Sequence, residues 1–336
     1  MEQAITAYQT AIQLKPDFAE AHVHLAQSLL LSGDLQNGFA EYEWRWAMIA
    51  PYAFSQPVWD GSSLAEKTIL VWIEAGFGDI IQFIRYIPLV KAYRGQVFVS
   101  CRTTLKRLLE TMDEIDRLIL EGETLPEFDV HVPLMSIPQI VGTTLETIPA
   151  HIPYLSPPVE CRFKLKPLPD TTLNVGIVWA SGYKTVEGVI TKITNRMLLA
   201  NQKLRSCPLS MFVKLLEIPG ISFYSLQVGE NIADLAALGD TSKLQDLSTH
   251  IQDFADTAAL IGQMDLVISV DTAAAHLAGA LGKPAWVLLP VGTDWRWLLD
   301  RNDSPWYPTM RLFRQRSPGD WEEVLDRVAE ALKINY

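Results

Sequence analysis

The sequence predicts an α/β protein with two Rossmann-like domains, preceded by a short all-α segment. Two separate series of short apolar runs, between residues 68 and 132 and between 174 and 313, alternate with helical patterns. Such alternation is typical of parallel sheets with helices on both faces. The first 48 residues show only helical periodicity, which places an all-α segment before the first strand.

Length and charge limit the function classes. A chain of 336 residues is long enough for two domains, each with its own core. The net charge of −11 argues against nucleic acid as a partner. Cys101, Cys161 and Cys207 lack metal-ligand spacing and read as reduced thiols. The N-terminus lacks a signal-peptide pattern and no apolar run reaches about 18 residues, so we expect a cytoplasmic protein without a transmembrane segment.

The pattern of residues 1–48 predicts helices of a partial tetratricopeptide repeat. Five positions fall close to the 34-residue repeat pattern: Ala11, Pro16, Leu25, Gly33 and Tyr42. About one and a half repeats are present, and isolated repeats must pack against neighbours to be stable. Two interpretations are open: a surface for a protein partner, or a helical cap on the next domain, which we favour.

The first α/β domain is predicted over residues 49–165. A linker over 49–67 leads to a strand at 68–73, a glycine-rich turn at 74–79 and a helix. The other strands are predicted at 96–100, 117–120 and 128–132, with a helix over 102–112. Prolines over 152–166 mark a linker to the second domain.

The second α/β domain is predicted over residues 166–318, with a final helix over 319–336 whose apolar side carries Trp321 and Leu325. Its strands are predicted at 174–180, 221–227, 266–270, 285–289 and 310–313. Helices are predicted over 208–217, 253–263 and 273–281.

The stretch 266–297 carries the most informative pattern. A buried strand ends at Val270, Asp271 and Thr272 follow, and a helix of small residues begins at Ala273. Free backbone N–H groups and the positive end of the helix dipole favour an anion at such a helix start. Capping of the helix by Asp271 and Thr272 explains the same pattern, so both interpretations stay open.

Several separate blocks together resemble a known family. SVDTAAAHLAGALGKP, DWRW, SPWYP and LFRQ in the second half, with EAGFGDIIQFIRY and NVGIVWASG earlier, look like bacterial tetratricopeptide-repeat glycosyltransferases. These are similar to the heptosyltransferases of glycosyltransferase family 9 and, more distantly, to O-GlcNAc transferases. The resemblance implies a GT-B-like arrangement: two domains facing a cleft, the nucleotide sugar on the second, the acceptor on the first, and the final helix crossing back to the first.

For the diphosphate of a nucleotide sugar, the resemblance implies the helix start at Asp271, Thr272 and Ala273, together with a basic residue. Lys184 or Arg205 could supply that charge, but the stretch between them is longer than is usual in the family. Asp271 is an anion and is expected to orient the loop rather than touch phosphate. His276 is expected to bond phosphate or the strand end.

For the catalytic base, the resemblance implies Asp79. Gly76 and Gly78 leave room for backbone close to a ligand, and Asp79 then lies at a helix start. An aspartate that only caps the helix fits the local pattern equally well. Glu74 and His276 are the alternative bases.

Two further residues are candidates for nucleotide binding. Gln227, at the end of the strand 221–227, could recognise the base, and Asp294 could accept hydrogen bonds from ribose hydroxyls. The aromatic residues near Asp294 either stack on a ligand or form a buried plug, which is the interpretation we favour for at least two of Trp295, Trp297, Trp306 and Tyr307.

The leading functional hypothesis is an inverting glycosyltransferase that moves a sugar from a nucleotide-diphosphate sugar to a hydroxyl of a glycan, a lipid-linked glycan or a protein. No DxD motif stands on a strand-end loop, so we expect no metal, and we expect no cofactor besides the donor. The alternatives are a GT-B epimerase or phosphorylase, and a non-catalytic nucleotide-binding module with a protein-interaction surface on its repeat helices.

Overall fold

The structure is a computed structural model that describes residues 1–49, 51–158, 163–166, 169–182, 202–239 and 242–335. Its residues group into two compact units. The first comprises Met1–His151 and Thr293–Trp306, and the second comprises the described residues of Ile152–Gly292 and those from Tyr307 onward.

The first unit begins with three helices, α1 (Glu2–Leu14), α2 (Ala19–Ser32) and α3 (Leu35–Tyr42), followed by a 3-10 helix over Glu43–Ala47. Gly33, with φ of 93°, ends α2 in the left-handed conformation that glycine adopts without steric cost. Asp34 then caps α3 by accepting a hydrogen bond of 3.2 Å from the N–H of Asn37.

The repeat helices pack on the rest of the first unit. Leu30 of α2 and Phe39 of α3 are fully buried, and the Phe39 ring meets Phe83 and Trp295 edge-on at centroid distances of 6.3 and 5.7 Å. By contrast α1, which the structure describes in full, has no buried residue. The segment therefore packs as a helical cap through α2 and α3.

A four-stranded parallel sheet forms the core of the first unit, in the order β3-β2-β1-β4. Its strands are β1 (Thr68–Trp72), β2 (Gln96–Cys101), β3 (Arg117–Leu120) and β4 (Val130–Pro133). Short helices connect them: α4 (Phe77–Phe83), α5 (Ile87–Lys91), α6 (Lys106–Leu109) and α7 (Ile137–Ile140). Because β1 lies inside the sheet, residues that follow its carboxyl end are held between those that follow β2 and β4.

A six-stranded parallel sheet forms the core of the second unit, in the order β10-β9-β8-β5-β6-β7. Its strands are β5 (Leu173–Val178), β6 (Ile221–Ser225), β7 (Leu244–Asp246), β8 (Leu266–Val270), β9 (Ala285–Leu289) and β10 (Met310–Arg314). Its helices are α8 (Val213–Leu216), α9 (Asp234–Ala237), α10 (Phe254–Ile261), α11 (Ala273–Ala280) and α12 (Trp321–Asn335). None of the described helices is both long and apolar enough to cross a membrane.

The predicted strands are confirmed to within a few residues, and β3, β8 and β9 match to the residue. β7 was not predicted, because Leu244–Asp246 contains one buried apolar residue and two polar ones. The helix predicted over 102–112 is interrupted: a 3-10 turn over Thr103–Leu105 precedes the four-residue α6.

The two compact units differ from the predicted domain boundaries in two places. The segment Thr293–Trp306, predicted within the second domain, groups with the first unit. The final helix α12, predicted to cross back, instead buries its apolar side in the core of the second unit, where Trp321 and Leu325 join Trp286 and Phe313. Burial of this apolar side explains why the helix belongs to the second unit.

Gly279→Ala tests the packing of α11. A Cβ at this position would lie 2.4 Å from Cδ1 of Tyr307 and 2.6 Å from Cε of Met310. Overpacking of this kind costs about 1–3 kcal/mol and outweighs the roughly 1 kcal/mol gained in helix propensity. We therefore expect a lower free energy of unfolding in urea.

Gly182→Ala is the control, because an added Cβ there meets no described atom within 4 Å. Equal stability of the two variants would show that the contact of α11 with Tyr307 is looser than described.

Candidate functional site

A buried arginine binds two carboxylates in the first unit. Arg296 donates through Nη1 to Oδ1 of Asp294 at 2.8 Å and through Nη2 to Oδ1 of Asp79. Its guanidinium lies over the rings of Trp295 and Phe83, 4.4 and 5.7 Å from their centroids. Burial acts to lower the pKa of Arg296, but Asp294 and Asp79 more than offset it and raise the pKa above its usual value. The guanidinium is therefore always charged.

Asp79 lies at a helix start, as predicted. It is in the first turn of α4, after the N-cap Gly76, and its Oδ2 accepts a hydrogen bond of 2.9 Å from the Gly76 N–H. Gly78 lies beside it in the same turn. The side chain keeps 28% of its surface exposed. Asp79 thus caps the helix and pairs with Arg296, while part of its carboxylate faces solvent.

A second charged cluster lies at the carboxyl end of β1. Arg45, in the 3-10 helix after α3, donates through Nη2 to Glu74 at 3.0 Å and to Ser136 at 2.7 Å, and through Nη1 to Glu43 at 2.7 Å. Oε2 of Glu74 is buried and has no hydrogen-bond partner among the described residues. Burial raises the pKa of Glu74 to about 7, although Arg45 opposes the rise.

Tyr42, the last residue of α3, lies within electrostatic reach of both clusters. Burial raises the pKa of its phenol, and the charges of Arg296 and Arg45 partly offset that effect. Sequence reasoning missed Tyr42, Arg45 and Arg296 because each acts through a contact that is distant in the chain.

In the second unit, α11 begins after β8 at the predicted residues, and the phosphate site expected at this helix start stays a prediction. Thr272 is the N-cap in extended conformation, and Ala273 opens the helix. The Thr272 hydroxyl pairs with Oγ of Ser269 at 2.9 Å, and neither residue is exposed. A small-residue helix start with a hydroxyl at its cap can seat an anion.

Arg205 lies close to this helix start. Its Nη1 is 3.5 Å from Oδ2 of Asp271, whose Oδ1 is 3.9 Å from Nε2 of His276. Nδ1 of His276 forms a hydrogen bond of 2.9 Å with the Tyr307 hydroxyl. The structure thus brings together Arg205, Asp271, Thr272 and His276. Lys184, the alternative basic residue, lies outside the described residues.

The structure gives Gln227 a different role from the predicted one. Its Oε1 accepts from the N–H groups of Trp179 and Ala180 at 3.2 and 3.0 Å, and its Nε2 donates to the carbonyls of Ala180 and Val228 at 3.1 Å each. The side chain is buried and both amide donors are used. It therefore holds the chain after β5 to the chain after β6, which does not support recognition of a nucleotide base.

Asp294 was predicted to lie in the second domain, but the structure groups it with the first unit. It forms an ion pair with Arg296, so a role at a ribose within the second unit is not supported. The neighbouring aromatic residues are buried, as predicted for a packed plug: Trp295, Trp297, Trp306 and Tyr307.

Comparison with known proteins gives two family segments in the expected order. Residues 1–33 match the TPR repeat, and residues 241–288 match glycosyltransferase family 9 (heptosyltransferase). Two solved structures share the fold. A family 9 glycosyltransferase from Veillonella parvula has a TM-score of 0.51 at 11% identity, covering 82% of this chain and 91% of its own. E. coli heptosyltransferase WaaC with ADP also has a TM-score of 0.51 at 11% identity, and the match covers 80% of this chain and 100% of the WaaC chain.

The chain therefore shares the fold of these two structures, carries a segment that matches glycosyltransferase family 9, and begins with helices that match the tetratricopeptide repeat. Among individual proteins, the chain is similar to Protein FlbA of Caulobacter vibrioides, with 26% identity over 353 residues. The match covers 94% of this chain, which spans 55% of the length of FlbA.

Glu74→Gln tests the buried carboxyl. Below about pH 4.5 the Glu74 carboxyl is protonated in both the folded and the unfolded chain, so it adds no pH dependence. Between pH 4.5 and about 7 the unfolded chain loses this proton while the folded chain retains it, so stability falls as pH rises. We expect the free energy of unfolding of the variant, relative to wild type, to rise by about 3 kcal/mol from pH 4.5 to 7.5.

Chemical denaturation at several pH values measures this difference. Glu127→Gln changes an exposed glutamate of the same unit and should follow the wild-type curve. Parallel curves for wild type and Glu74→Gln would contradict the raised pKa.

Proposed function

We propose that the protein is a metal-independent, inverting glycosyltransferase that moves a sugar from a nucleotide-diphosphate sugar to a hydroxyl acceptor in the cytoplasm. The family 9 segment supports the reaction class. The observation that carries the proposal is Asp79, a partly exposed carboxylate held by an arginine and a backbone N–H. Free, buried thiols at Cys101 and Cys207 are consistent with a reducing compartment.

Asp79 is the proposed catalytic base. The acceptor oxygen bonds to the anomeric carbon of the donor from the side opposite the diphosphate, the bond from that carbon to the diphosphate breaks, and the acceptor proton passes to Asp79. Each Asp79 oxygen already accepts one hydrogen bond, from Arg296 or from Gly76. A carboxylate has about four acceptor positions, so capacity for a substrate hydroxyl remains.

The start of α11 is the proposed seat of the diphosphate. The leaving group gains negative charge, which backbone N–H groups at 273–275, the Thr272 hydroxyl and the Arg205 guanidinium can stabilise without a metal. Arg205 lies 3.5 Å from Asp271, a long ion pair that a phosphate could replace or share. Asp271 and His276 would then orient Arg205 and the helix start.

Asp79→Asn tests the base. The amide retains the shape and a hydrogen-bond acceptor but cannot take a proton. We expect release of nucleoside diphosphate from the preferred donor, in the presence of acceptor, to fall by about 100-fold or more per folded molecule. Because the variant leaves the buried Arg296 with one carboxylate fewer, a loss of stability of about 1–3 kcal/mol should accompany it.

Asp113→Asn, at an exposed aspartate of the same unit, is the control and should retain full activity. Full activity of the folded fraction of Asp79→Asn would limit Asp79 to a structural role, and Glu74 and His276 would become the candidates for the base.

Thr272→Ala tests the diphosphate site. Calorimetric titration with ADP, GDP and UDP in EDTA should show binding of at least one of them to the wild type. The variant should bind that nucleotide about 1–3 kcal/mol more weakly, the usual cost of removing a hydrogen bond to a charged group. Ser269→Ala removes the partner of the Thr272 hydroxyl without removing that hydroxyl, so it should have the smaller effect. Equal affinity of wild type and Thr272→Ala would refute this placement.

A further inference from the structure

An aromatic cavity of about 650 Å³ lies in the first unit, and its lining shares Glu43 and Ser136 with the Arg45 cluster but contains none of the residues proposed above for transfer or diphosphate binding. One wall comes from the chain that joins the repeat helices to β1, including Trp46, Tyr52 and Phe54, and the floor is Trp72 at the end of β1. A cavity of this size can hold one or two sugar rings or a ligand of similar bulk.

The aromatic rings of the wall contact one another and Arg45. Tyr52 stacks on Phe54 at a centroid distance of 5.7 Å, and the Arg45 guanidinium lies 4.3 Å from the Trp46 centroid, so a ligand can stack on one face of each ring at most. Trp46 and Tyr52 each meet the Trp72 ring at a centroid distance of 5.2 Å. Trp72 is buried, whereas Tyr52 is 63% exposed. A single exposed aromatic residue is common at protein surfaces, so the exposure of Tyr52 supports a ligand only together with the cavity beside it. Tyr52 is the part of the wall that such a ligand would cover.

His131 fixes the floor and the wall together. The Trp72 indole N–H donates to Nδ1 of His131 at 3.1 Å, which leaves the proton of the neutral imidazole on Nε2. Burial lowers the pKa of His131, and the imidazole also bonds to the backbone of Gln56 in the wall. His131 therefore joins β4 to the chain over 51–60.

The polar lining selects the chemistry of the ligand. Glu43, Asp60 and Gln139 line the cavity, and none of its described lining residues is Lys or Arg. Glu43 is already paired with Arg45 at 2.7 Å, so Asp60 is the lining carboxylate whose charge disfavours a phosphorylated or acidic ligand. Carboxylate and amide groups beside aromatic faces suit a ligand with many hydroxyls and apolar C–H faces, which describes a neutral pyranose.

An extended polypeptide fits less well. Strand β4 is the edge of its sheet, but residues 57–59 already pair with it: Trp59 N–H donates to the His131 carbonyl at 2.8 Å, and His131 N–H donates to the Pro57 carbonyl at 3.1 Å. A peptide therefore cannot add to β4 as a further strand at this position.

We propose that this cavity binds a neutral saccharide, with a sugar ring stacked on Tyr52 and Trp46 and its hydroxyls bonded to Glu43, Asp60 and Gln139. Identification of this saccharide as part of the acceptor rests on the proposed function and would make the acceptor a glycan. The binding itself does not depend on it.

The test uses the full chain labelled with ¹⁵N at its tryptophan indoles and titrated with maltose, cellobiose, lactose and chitobiose. At least one disaccharide should shift the indole signals of Trp46 and Trp72. Tyr52→Ala, at an exposed position where folding should survive, should weaken that binding by about fivefold or more. Tyr8→Ala, which removes an aromatic ring from α1, should leave it unchanged.

Three results would overturn the proposal: no indole shift with any of the four sugars, equal binding by wild type and Tyr52→Ala, or tighter binding of glucose 1-phosphate than of the disaccharides. Shifts of the same indoles by an unstructured peptide alone would assign the cavity to a protein ligand instead. Titration of the same samples with ADP, GDP and UDP separates the saccharide site from the proposed glycosyltransferase function. Nucleotide binding without saccharide binding would refute the saccharide site and leave the proposed function standing.

Discussion

The ion pairs of Arg296 are the interaction on which the first unit depends most. A guanidinium removed from water is stable only when carboxylates surround it, and Asp79 and Asp294 meet that need. This requirement ties the segment Thr293–Trp306 to the start of α4, although about 200 residues separate them in the chain. It also fixes Asp79 in one orientation, which a general base requires.

A second arginine gives the repeat helices a role beyond packing. Arg45 follows α3 and pairs with Glu74 at the end of β1, five residues before Asp79. Tyr42 lies within electrostatic reach of both arginines. Because removing one partner of a buried charge is costly, the end of the repeat segment and the end of β1 are expected to fold as one structure. This coupling adds to the packing of α2 and α3 on the rest of the first unit.

Much of the fold followed from local pattern. Strands β8 and β9 are continuous apolar runs bounded by polar and turn residues, and the bounds of such strands can be predicted from the sequence. The helix starts at Asp79 and Thr272 were also predicted, since strand-turn-helix junctions leave a local signature. Features that depend on distant contacts were not predicted: the pairing of Arg296 with Asp79, the bonds that occupy Gln227, and the place of α12 in the second core. No periodicity in the chain records which distant residue a side chain will contact.

A double-mutant cycle on turnover tests most directly whether Arg296 positions Asp79 for transfer. Nucleoside diphosphate release would be measured per folded molecule for wild type, Asp79→Asn, Arg296→Lys and the double variant. Lysine retains the charge of Arg296 but lacks the fork that holds two carboxylates, so its own loss should be about tenfold or more. If Arg296 acts through Asp79, the double variant should be no slower than Asp79→Asn alone. Losses that multiply in the double variant would contradict this account, because the two residues would then contribute independently.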